Sequence, residues 1–338
     1  MKEYELEVLE RYDVEVRSTR RIRGAFFCDT NEGTMLLKET KISEKRAPLL
    51  YFMLRFLETQ ENIKVDTPVF TRDGELLVTA REGTRYMMKK WYAGRECDIK
   101  KETDLLSAAE TLAHLHKKLQ WQEGMYENAE RPPTRRSPLE EVMRHNREMK
   151  KVRAFIRERV AKNEFEYLYL QNFDKMYGLA ELVMERMERS GCGALYEKSV
   201  QENRMVHGDY NYHNILMMPG QAAVTNFEHM RIDIQVQDLY YFIRKVMEKH
   251  HWKQKLGRAI LEAYQNVRRL DPMEMEYIGL SLAYPEKFWK TASSYSRSNK
   301  AWLPEKSVEK LELAVRQTEE KTDFLENIFS LNLRRPVV

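Results

Sequence analysis

The chain has 338 residues, 42% of them hydrophobic, with a formal net charge of +4 and three cysteines. This length suffices for two lobes with substantial cores. The small charge does not indicate nucleic-acid binding, and three scattered cysteines without a C-x-x-C pair favour a reducing compartment over disulfides or a zinc site. The N-terminus lacks the pattern of a signal peptide, and no apolar run approaches the ~20 residues of a membrane span. We therefore expect a globular protein that is made in the cytoplasm.

Short apolar or alternating segments predict a strand-rich region over the first ninety residues. Strands are expected near residues 14–18, 25–28, 34–38, 67–70, 76–79 and 85–89, and a short helix or strand at 4–9. Residues 43–60 have helical spacing, with Ser43 as a possible N-cap. Lys38 ends the third strand. Glu44, in the first turn of the helix, is expected either to pair with Lys38 or to complement the helix dipole.

The pattern changes to helices beyond residue 90. The segment WYAGREC, residues 91–97, breaks the strand pattern and is expected to be a hinge between lobes, with Met88 and Trp91 beside an adenine if a nucleotide binds. Amphipathic helices are expected over residues 104–120, 163–189, from 238 onward and over 304–329. His116, on the first of these helices, is expected to be a buried core residue.

Residues 131–162 form a strongly basic segment, with eleven Lys or Arg against four Glu. Two interpretations stay open at this point. The segment is either a helix with a solvated basic face or a docking surface for an acidic partner. We expect no nucleic-acid binding here, because no aromatic and basic strand platform accompanies the charge.

The chemistry is concentrated in residues 207–214, which read HGDYNYHN. Asp209 is followed five residues later by Asn214, a spacing typical of the catalytic loop of kinase-like phosphotransferases. The carboxylate can take a proton from an attacking hydroxyl, and the amide oxygen can hold Mg²⁺ on nucleotide phosphates. A strand, a Pro-Gly turn and a second strand follow, and the second strand is expected to end at residues 226–228.

A kinase needs a second metal-binding acid at the end of that strand, but the chain has Asn226 there. An amide oxygen can ligate a hard cation without supplying negative charge, and Mg²⁺ is usually held by one or two carboxylates. Glu228 would point the same way if the strand continued, which makes it the alternative ligand. Asp238 opens the next helix, where it could accept hydrogen bonds from the catalytic loop or act as an ordinary N-cap. No G-x-G-x-x-G loop precedes Lys38, which disfavours a protein kinase in the narrow sense.

The catalytic-loop motif, the strand that ends at Asn226, the WYAGREC segment and the block PEKFWK at residues 285–290 together resemble the CotS family of spore coat proteins. This family looks like a branch of the aminoglycoside and choline phosphotransferase superfamily. The resemblance covers nearly the whole chain. It implies an α+β, two-lobed kinase-like fold: a small antiparallel-sheet N-lobe, residues 1–89, and a larger, mainly helical C-lobe, residues 90–338, that carries the catalytic-loop motif.

The resemblance also implies roles for individual residues. Asp209 would be the base, Asn214 the first metal ligand, and Lys38 the lysine that pairs with the phosphates. Asp238 would be the acid that supports the loop. The second metal ligand maps to Asn226, where the superfamily has Asp, and this departure puts catalysis in doubt. ATP and Mg²⁺ would be the cofactors.

Finally, the resemblance implies expression in the mother cell of a sporulating Firmicute, deposition in the spore coat, and other coat proteins as partners. The favoured interpretation is a catalytically impaired coat protein or pseudokinase. The alternative is an active ATP-dependent phosphotransferase acting on a hydroxyl of a sugar, an amino alcohol or a coat component, with its acceptor pocket between the catalytic loop and the helices of residues 140–190. A third possibility is an interaction protein that uses the basic segment.

Overall fold

A computed structural model describes residues 3–22, 24–59, 61, 63–122, 124, 129–297 and 305–333. The chain divides into two units. Unit 1 falls within residues 1–134, 202–238 and 263–268, and unit 2 within residues 135–201, 239–262 and 269–338. Unit 1 thus contains both the N-terminal sheet and the catalytic-loop segment. The lobe boundary expected at residue 90 from the sequence stays a prediction.

A five-stranded antiparallel sheet forms the N-terminal part of unit 1. Its strands are, in spatial order, β1 (Val16–Ile22), β2 (Ala25–Thr30), β3 (Gly33–Glu39), β6 (Arg85–Lys90) and β5 (Val78–Thr79). One face packs into a core with α1 (Glu3–Glu10), and Leu37 and Met88 lie in that core. Because side chains alternate along strands, Lys38 and Lys89 share the opposite face.

A second sheet of unit 1 positions the candidate site. Its order is β4 (Lys64–Val65), β10 (Gln221–Val224), β9 (Ile215–Met218) and β7 (Arg95–Glu96). β4 and β10 are parallel, with Val65 paired with Val224. This register places Asp66 alongside the end of β10, and the backbone N–H of Asn226 donates to Asp66 Oδ2 at 2.9 Å. A two-stranded sheet of β8 (Met205–Val206) and β11 (Arg231–Ile232) adjoins the catalytic loop.

The other helices of unit 1 are α2 (Ala47–Thr59) and α3 (Glu102–Lys118). The helix predicted over residues 43–60 therefore begins four residues later than expected, and Gln60 lies outside the described residues. The strand predicted at residues 67–70 is reduced to one isolated bridge between Pro68 and Lys89. The reason is that proline has no N–H to donate to a strand neighbour.

The strand that was expected to reach residues 226–228 ends instead at Val224. Asn226 has φ 65° and ψ 50°, the left-handed conformation, and a short 3₁₀ helix follows at Phe227–His229. Asn tolerates this conformation better than most residues. The prediction that the strand ends at residues 226–228 is therefore wrong, and Glu228 does not meet the condition under which it would point the same way as Asn226.

Unit 2 is helical. It contains α4 (Pro138–Glu158), α5 (Glu164–Arg189), α6 (Cys192–Gln201), α9 (Pro272–Ala283), α10 (Glu286–Arg297) and α11 (Glu305–Phe329). α4 and α5 each begin with a capping box, at Ser137 and Asn163. Pro304, the expected start of the last helix, lies outside the described residues. The chain also forms α7 (Val236–Met247) and α8 (Gln254–Val267). None of the helices in the described ranges is both long enough and apolar enough to cross a membrane.

Candidate functional site

Asp238 holds the backbone of the catalytic loop in place. Its carboxylate is buried and accepts the backbone N–H groups of His207 at 2.7 Å and Gly208 at 2.9 Å. His116, which is buried as the sequence predicted, lies with Nε2 3.3 Å from the same carboxylate. Burial raises the pKa of Asp238, but the contacts with His116 and His207 and the bond from Gly208 outweigh it, so this pKa lies below its ordinary value of 3.8. The carboxylate is therefore ionised and acts as a fixed acceptor.

His207 holds the backbone of the loop from within. Its Nε2 lies 2.9 Å from the carbonyl oxygen of Thr225, and its Nδ1 lies 3.1 Å from the backbone N of Asp209. A carbonyl accepts and an N–H donates, so the ring carries its proton on Nε2 and accepts at Nδ1. Burial lowers the pKa of His207 below 6.5, which keeps the ring neutral. The ring thus fixes the backbone of the candidate base.

Gly208 is required by space and by conformation. Its φ is +84°, and a Cβ there would meet the carbonyl oxygen of His229 at 2.3 Å. The glycine of the HGD motif therefore permits the close approach of the loop to the segment that follows Asn226.

A chain of hydrogen bonds joins the predicted phosphate-binding lysine to the predicted base. Lys38 Nζ donates to Asn226 Oδ1 at 3.2 Å, and Asn226 Nδ2 donates to Asn214 Oδ1 at 2.8 Å. Asn214 Nδ2 donates to the carbonyl oxygen of Asp209 at 2.8 Å and to its Oδ2 at 3.1 Å.

The direction of this chain is fixed at both ends. An ammonium can only donate and an ionised carboxylate can only accept. Lys38 therefore requires the oxygen of the Asn226 amide, and Asp209 requires the NH₂ of the Asn214 amide. The remaining atoms, the NH₂ of Asn226 and the oxygen of Asn214, face each other and form the middle bond. Both amide oxygens are consequently occupied by protein donors.

This arrangement fits a divalent metal ion poorly, because each amide oxygen already accepts one hydrogen bond from the protein and neither amide supplies negative charge. Mg²⁺ takes oxygen ligands at about 2.0–2.1 Å in near-octahedral geometry. The oxygen that Asn214 would offer accepts from Asn226, and the oxygen that Asn226 would offer accepts from Lys38. An Asp at position 226 has no NH₂ and could not make the bond to Asn214. Across the described part of the chain, no group of three or more acidic, histidine or cysteine side chains is placed to hold a metal ion.

Glu228, the alternative metal ligand, is paired with a lysine that the sequence did not single out. Lys89 is only 1% exposed, and its Nζ lies 3.3 Å from both Asp66 Oδ2 and Glu228 Oε1. Burial lowers the pKa of Lys89, but the two carboxylates raise it more, so the pKa lies above its ordinary value and the group stays charged. We call Lys89, Asp66 and Glu228 the lysine bridge.

One signal in the sequence could have revealed the lysine bridge. Lys89 follows the buried residues Tyr86, Met87 and Met88, and Asp66 follows the buried Val65. Charged residues are almost never fully buried unless they are paired. A lysine and an aspartate attached to two buried strands therefore predict an ion pair, although not which strands meet.

Glu44 lies outside this network. It is exposed, in the turn before α2, and Lys38 donates to Asn226 instead. The acid of α2 that reaches the sheet is Glu58, which accepts from Lys90 at 2.7 Å. The structure thus does not bring Glu44 to the site.

The two predicted adenine contacts lie on or just beyond β6. Met88 is buried in the sheet core, where its N–H donates to the Tyr12 hydroxyl at 3.2 Å and its carbonyl accepts from the N–H of Val69 at 2.9 Å. Both backbone groups of Met88 are therefore engaged. Trp91 is half-buried, with its ring edge-on to Phe27 at 5.6 Å. The role of Trp91 at an adenine stays a prediction.

Solved structures define the class of this fold. An aminoglycoside phosphotransferase from Alicyclobacillus acidocaldarius superposes with a TM-score of 0.82 at 18% identity, covering 95% of this chain and 94% of that one. An amicoumacin kinase in complex with AMP-PNP and Ca²⁺ gives 0.63 at 12% identity over 95% and 94%. An AMP-bound spectinomycin phosphotransferase gives 0.59 at 11% identity over 97% and 98%. The chain has the kinase-like fold of aminoglycoside phosphotransferases, with an antiparallel N-terminal sheet and a helical C-terminal region, as the sequence predicted.

The family is a spore coat family. The model described as "Spore coat putative kinase YutH" matches residues 5–328, and the chain belongs to this family. Spore coat protein S of Bacillus subtilis (strain 168) is 22% identical over 166 residues, which is 48% of this chain and 47% of that protein. The match thus spans about half the length of this curated relative. The resemblance to coat proteins of the CotS type is confirmed.

Proposed function

We propose that this protein is a spore coat component whose kinase-like site is impaired in phosphotransfer. The observation that carries the proposal is the hydrogen bond from Asn226 Nδ2 to Asn214 Oδ1. It occupies one of the oxygens that a metal ion on nucleotide phosphates would need. The family supports the location in the coat, because its members are described as spore coat proteins with a possible kinase activity.

The expected loss of activity follows from the missing charge. Electrostatic stabilisation of the transferring phosphoryl group usually contributes more to such catalysis than any other effect. One absent carboxylate beside the metal would cost a few kcal/mol, and each 1.36 kcal/mol is about tenfold in rate. We therefore expect phosphotransfer ~100-fold or more below that of an enzyme with Asp at this position.

A second candidate function is an active ATP-dependent phosphotransferase acting on a hydroxyl of a small molecule. The contacts of Asp209, the candidate base, favour this second function. The carboxylate of Asp209 accepts from the amides of Asn211 at 3.0 Å and Asn214 at 3.1 Å, which aims it as a base requires. Under this hypothesis, Asp209→Ala abolishes a turnover that the wild type shows.

Calorimetric titration with ATP, with and without Mg²⁺, separates the two functions. We expect the wild type to bind ATP no more tightly when Mg²⁺ is present, and Asn226→Asp to gain at least about tenfold in affinity on addition of Mg²⁺. Asn327→Asp, at an exposed position of α11, is the matched control and should behave as wild type. Magnesium-dependent ATP binding by the wild type, together with turnover at ordinary kinase rates, would overturn the proposal.

We also propose that the protein is made in the cytoplasm of the mother cell and associates with other coat proteins. An acidic partner is the chemistry that α4 would fit. Several basic side chains of α4 and its C-cap are already paired: Arg144 with Glu141 and Glu148, Arg153 with Asp174, and the C-cap Arg159 with Glu166. Arg147 and Lys151 are exposed. A pull-down of coat extract with Arg147→Glu/Lys151→Glu tests this surface, and binding that resists both charge reversal and salt would contradict it.

A further inference from the structure

The lysine bridge resembles a metal site in composition. Its two carboxylates, Asp66 and Glu228, surround one cation, which here is the ammonium of Lys89. We propose that the ammonium of Lys89 replaces a divalent cation here, so that the segment around Asn226 keeps its conformation without metal. The inference rests on the proposed function, since it explains how a kinase-like site can be organised when no metal assembles it. It gives a role to Lys89 and Asp66, which the sequence did not single out, and a new one to Glu228.

The first step in the argument is geometric. Lys89 lies on the sheet face that also carries Lys38, and its Nζ is equally far, at 3.3 Å, from a carboxylate oxygen of Asp66 and one of Glu228. Lys89 and Asp66 are 1% and 0% exposed, whereas the side chain of Glu228 is 20% exposed. Asp66 is therefore shielded from water and depends on the ammonium of Lys89 for charge compensation, whereas Glu228 is in part solvated.

The second step concerns what the bridge holds in place. Asp66 accepts the backbone N–H of Asn226, the residue in the left-handed conformation, through the same Oδ2 that contacts Lys89. Glu228 lies in the 3₁₀ helix directly after Asn226. One ammonium therefore ties strand β6 to both sides of the turn that begins at Asn226. The orientation of the Asn226 amide depends on that turn.

The third step is the balance of charge. Two carboxylates and one ammonium leave a net charge of −1, and Asp66 Oδ1 is a buried oxygen with no hydrogen-bond partner in the described structure. A pair of convergent carboxylates with spare lone pairs is the ligand set that hard divalent cations prefer. Removing the ammonium should therefore convert the lysine bridge into a divalent-cation site.

The experiment compares Lys89→Met with wild type by thermal unfolding in metal-free buffer and with Mn²⁺, in the absence of nucleotide. We expect Lys89→Met to lose about 6–10 °C in Tm without metal, because it leaves uncompensated buried carboxylates. Mn²⁺ at about one hundred times its Kd should restore about 5 °C. The wild type should not respond to Mn²⁺. Lys90→Met, one residue along the strand at a lysine that pairs with Glu58, is the control and should show neither effect.

A second variant keeps the test decisive. Lys89→Met/Glu228→Gln removes one of the two carboxylates and is expected to lose the response to Mn²⁺. If Lys89→Met does not fold without metal, refolding from urea with and without Mn²⁺ decides: recovery only with Mn²⁺ supports the proposal. A response that survives Glu228→Gln, a variant that Mn²⁺ never rescues, or an equal response of the wild type overturns it. These experiments measure unfolding and not phosphotransfer. Kinase activity of the wild type would therefore refute the proposed function but would not change the expected unfolding results.

Discussion

The two halves of the candidate site are built on different principles. The base half, made of Asp209, His207, Gly208 and Asp238, keeps the parts that a phosphotransferase loop needs, each fixed by hydrogen bonds of 2.7–3.1 Å. The metal half, made of Asn214, Asn226 and Glu228, is filled by amide and ammonium donors from the protein itself. The difference teaches that hydrogen bonds within the protein can maintain the conformation of a catalytic-type loop independently of any catalytic role.

The two halves differ in the groups that compensate their buried charges. The buried Asp238 accepts two backbone N–H groups, which every residue type except proline supplies, and it also contacts His116. A kinase-type metal half is balanced by an ion that must be bound from solution. Replacing that ion by ammonium and amide donors makes the geometry independent of metal, but these donors bind oxygens that would otherwise ligate a metal ion.

The largest effect is expected from the base half. Asp238→Ala leaves the N–H groups of His207 and Gly208 without their acceptor and should lower the free energy of unfolding by about 3–5 kcal/mol. Urea unfolding measures it, with the exposed Glu110→Ala of α3 as control. A loss below about 1 kcal/mol would break the comparison, because the loop would then not depend on this anchor.

The close approach of the two halves can be tested at Gly208. Gly208→Ala combines a positive φ with a Cβ 2.3 Å from a carbonyl oxygen and should cost about 2–4 kcal/mol. Gly220→Ala is the matched control, because its φ is +72° but nothing lies within 4 Å of its Cβ. It should cost only about 1 kcal/mol. Equal losses in urea unfolding would show that the conformation, and not the contact with His229, selects glycine.

The base half should lose its contribution to stability at acidic pH, and the metal half should lose its contribution at alkaline pH. The pKa of His207 is depressed by burial, so its contribution to stability is lost as the pH falls below about 6.5. His145, on α4 and outside both halves, has a pKa lowered to about 4 and adds to the loss. The free energy of unfolding should fall by about 2–3 kcal/mol from about pH 7.5 to 5.5. The pKa of Lys89 is raised, so the metal half keeps its contribution until the pH exceeds about 10.5.

Urea titrations at several pH values measure these slopes. His207→Gln should reduce the acid slope. An acid slope that persists in full in both His207→Gln and His145→Gln would contradict the assignment.

The smallest effect is expected at Lys38. It is only partly buried and donates one hydrogen bond, to Asn226, so Lys38→Met should cost less than about 1 kcal/mol. Thermal unfolding beside Lys89→Met compares the two lysines directly. If Lys38→Met lowered the stability as much as Lys89→Met, the lysine bridge would contribute no more than Lys38 to the organisation of the metal half.

Local patterns in the sequence predicted much of the fold. The strands β2, β3 and β6 and the helices α3 and α5 follow from apolar periodicity, which depends only on neighbouring residues. The ends of elements were less accessible. The turn at Asn226 and the 3₁₀ helix after it replaced an expected strand, because Asn is compatible with both strand ends and the left-handed conformation.

The sequence by itself determined the catalytic-loop motif, the missing carboxylate at position 226 and the anchoring candidate Asp238, because each is set by residue type and short spacing. Only the tertiary structure decided what occupies the oxygens of that site. Lys38 and Asn226 are 188 positions apart, and Lys89 and Glu228 are 139 apart. Which atom an amide presents, and whether a lysine is buried between carboxylates, depends on partners that the chain brings together only when it folds.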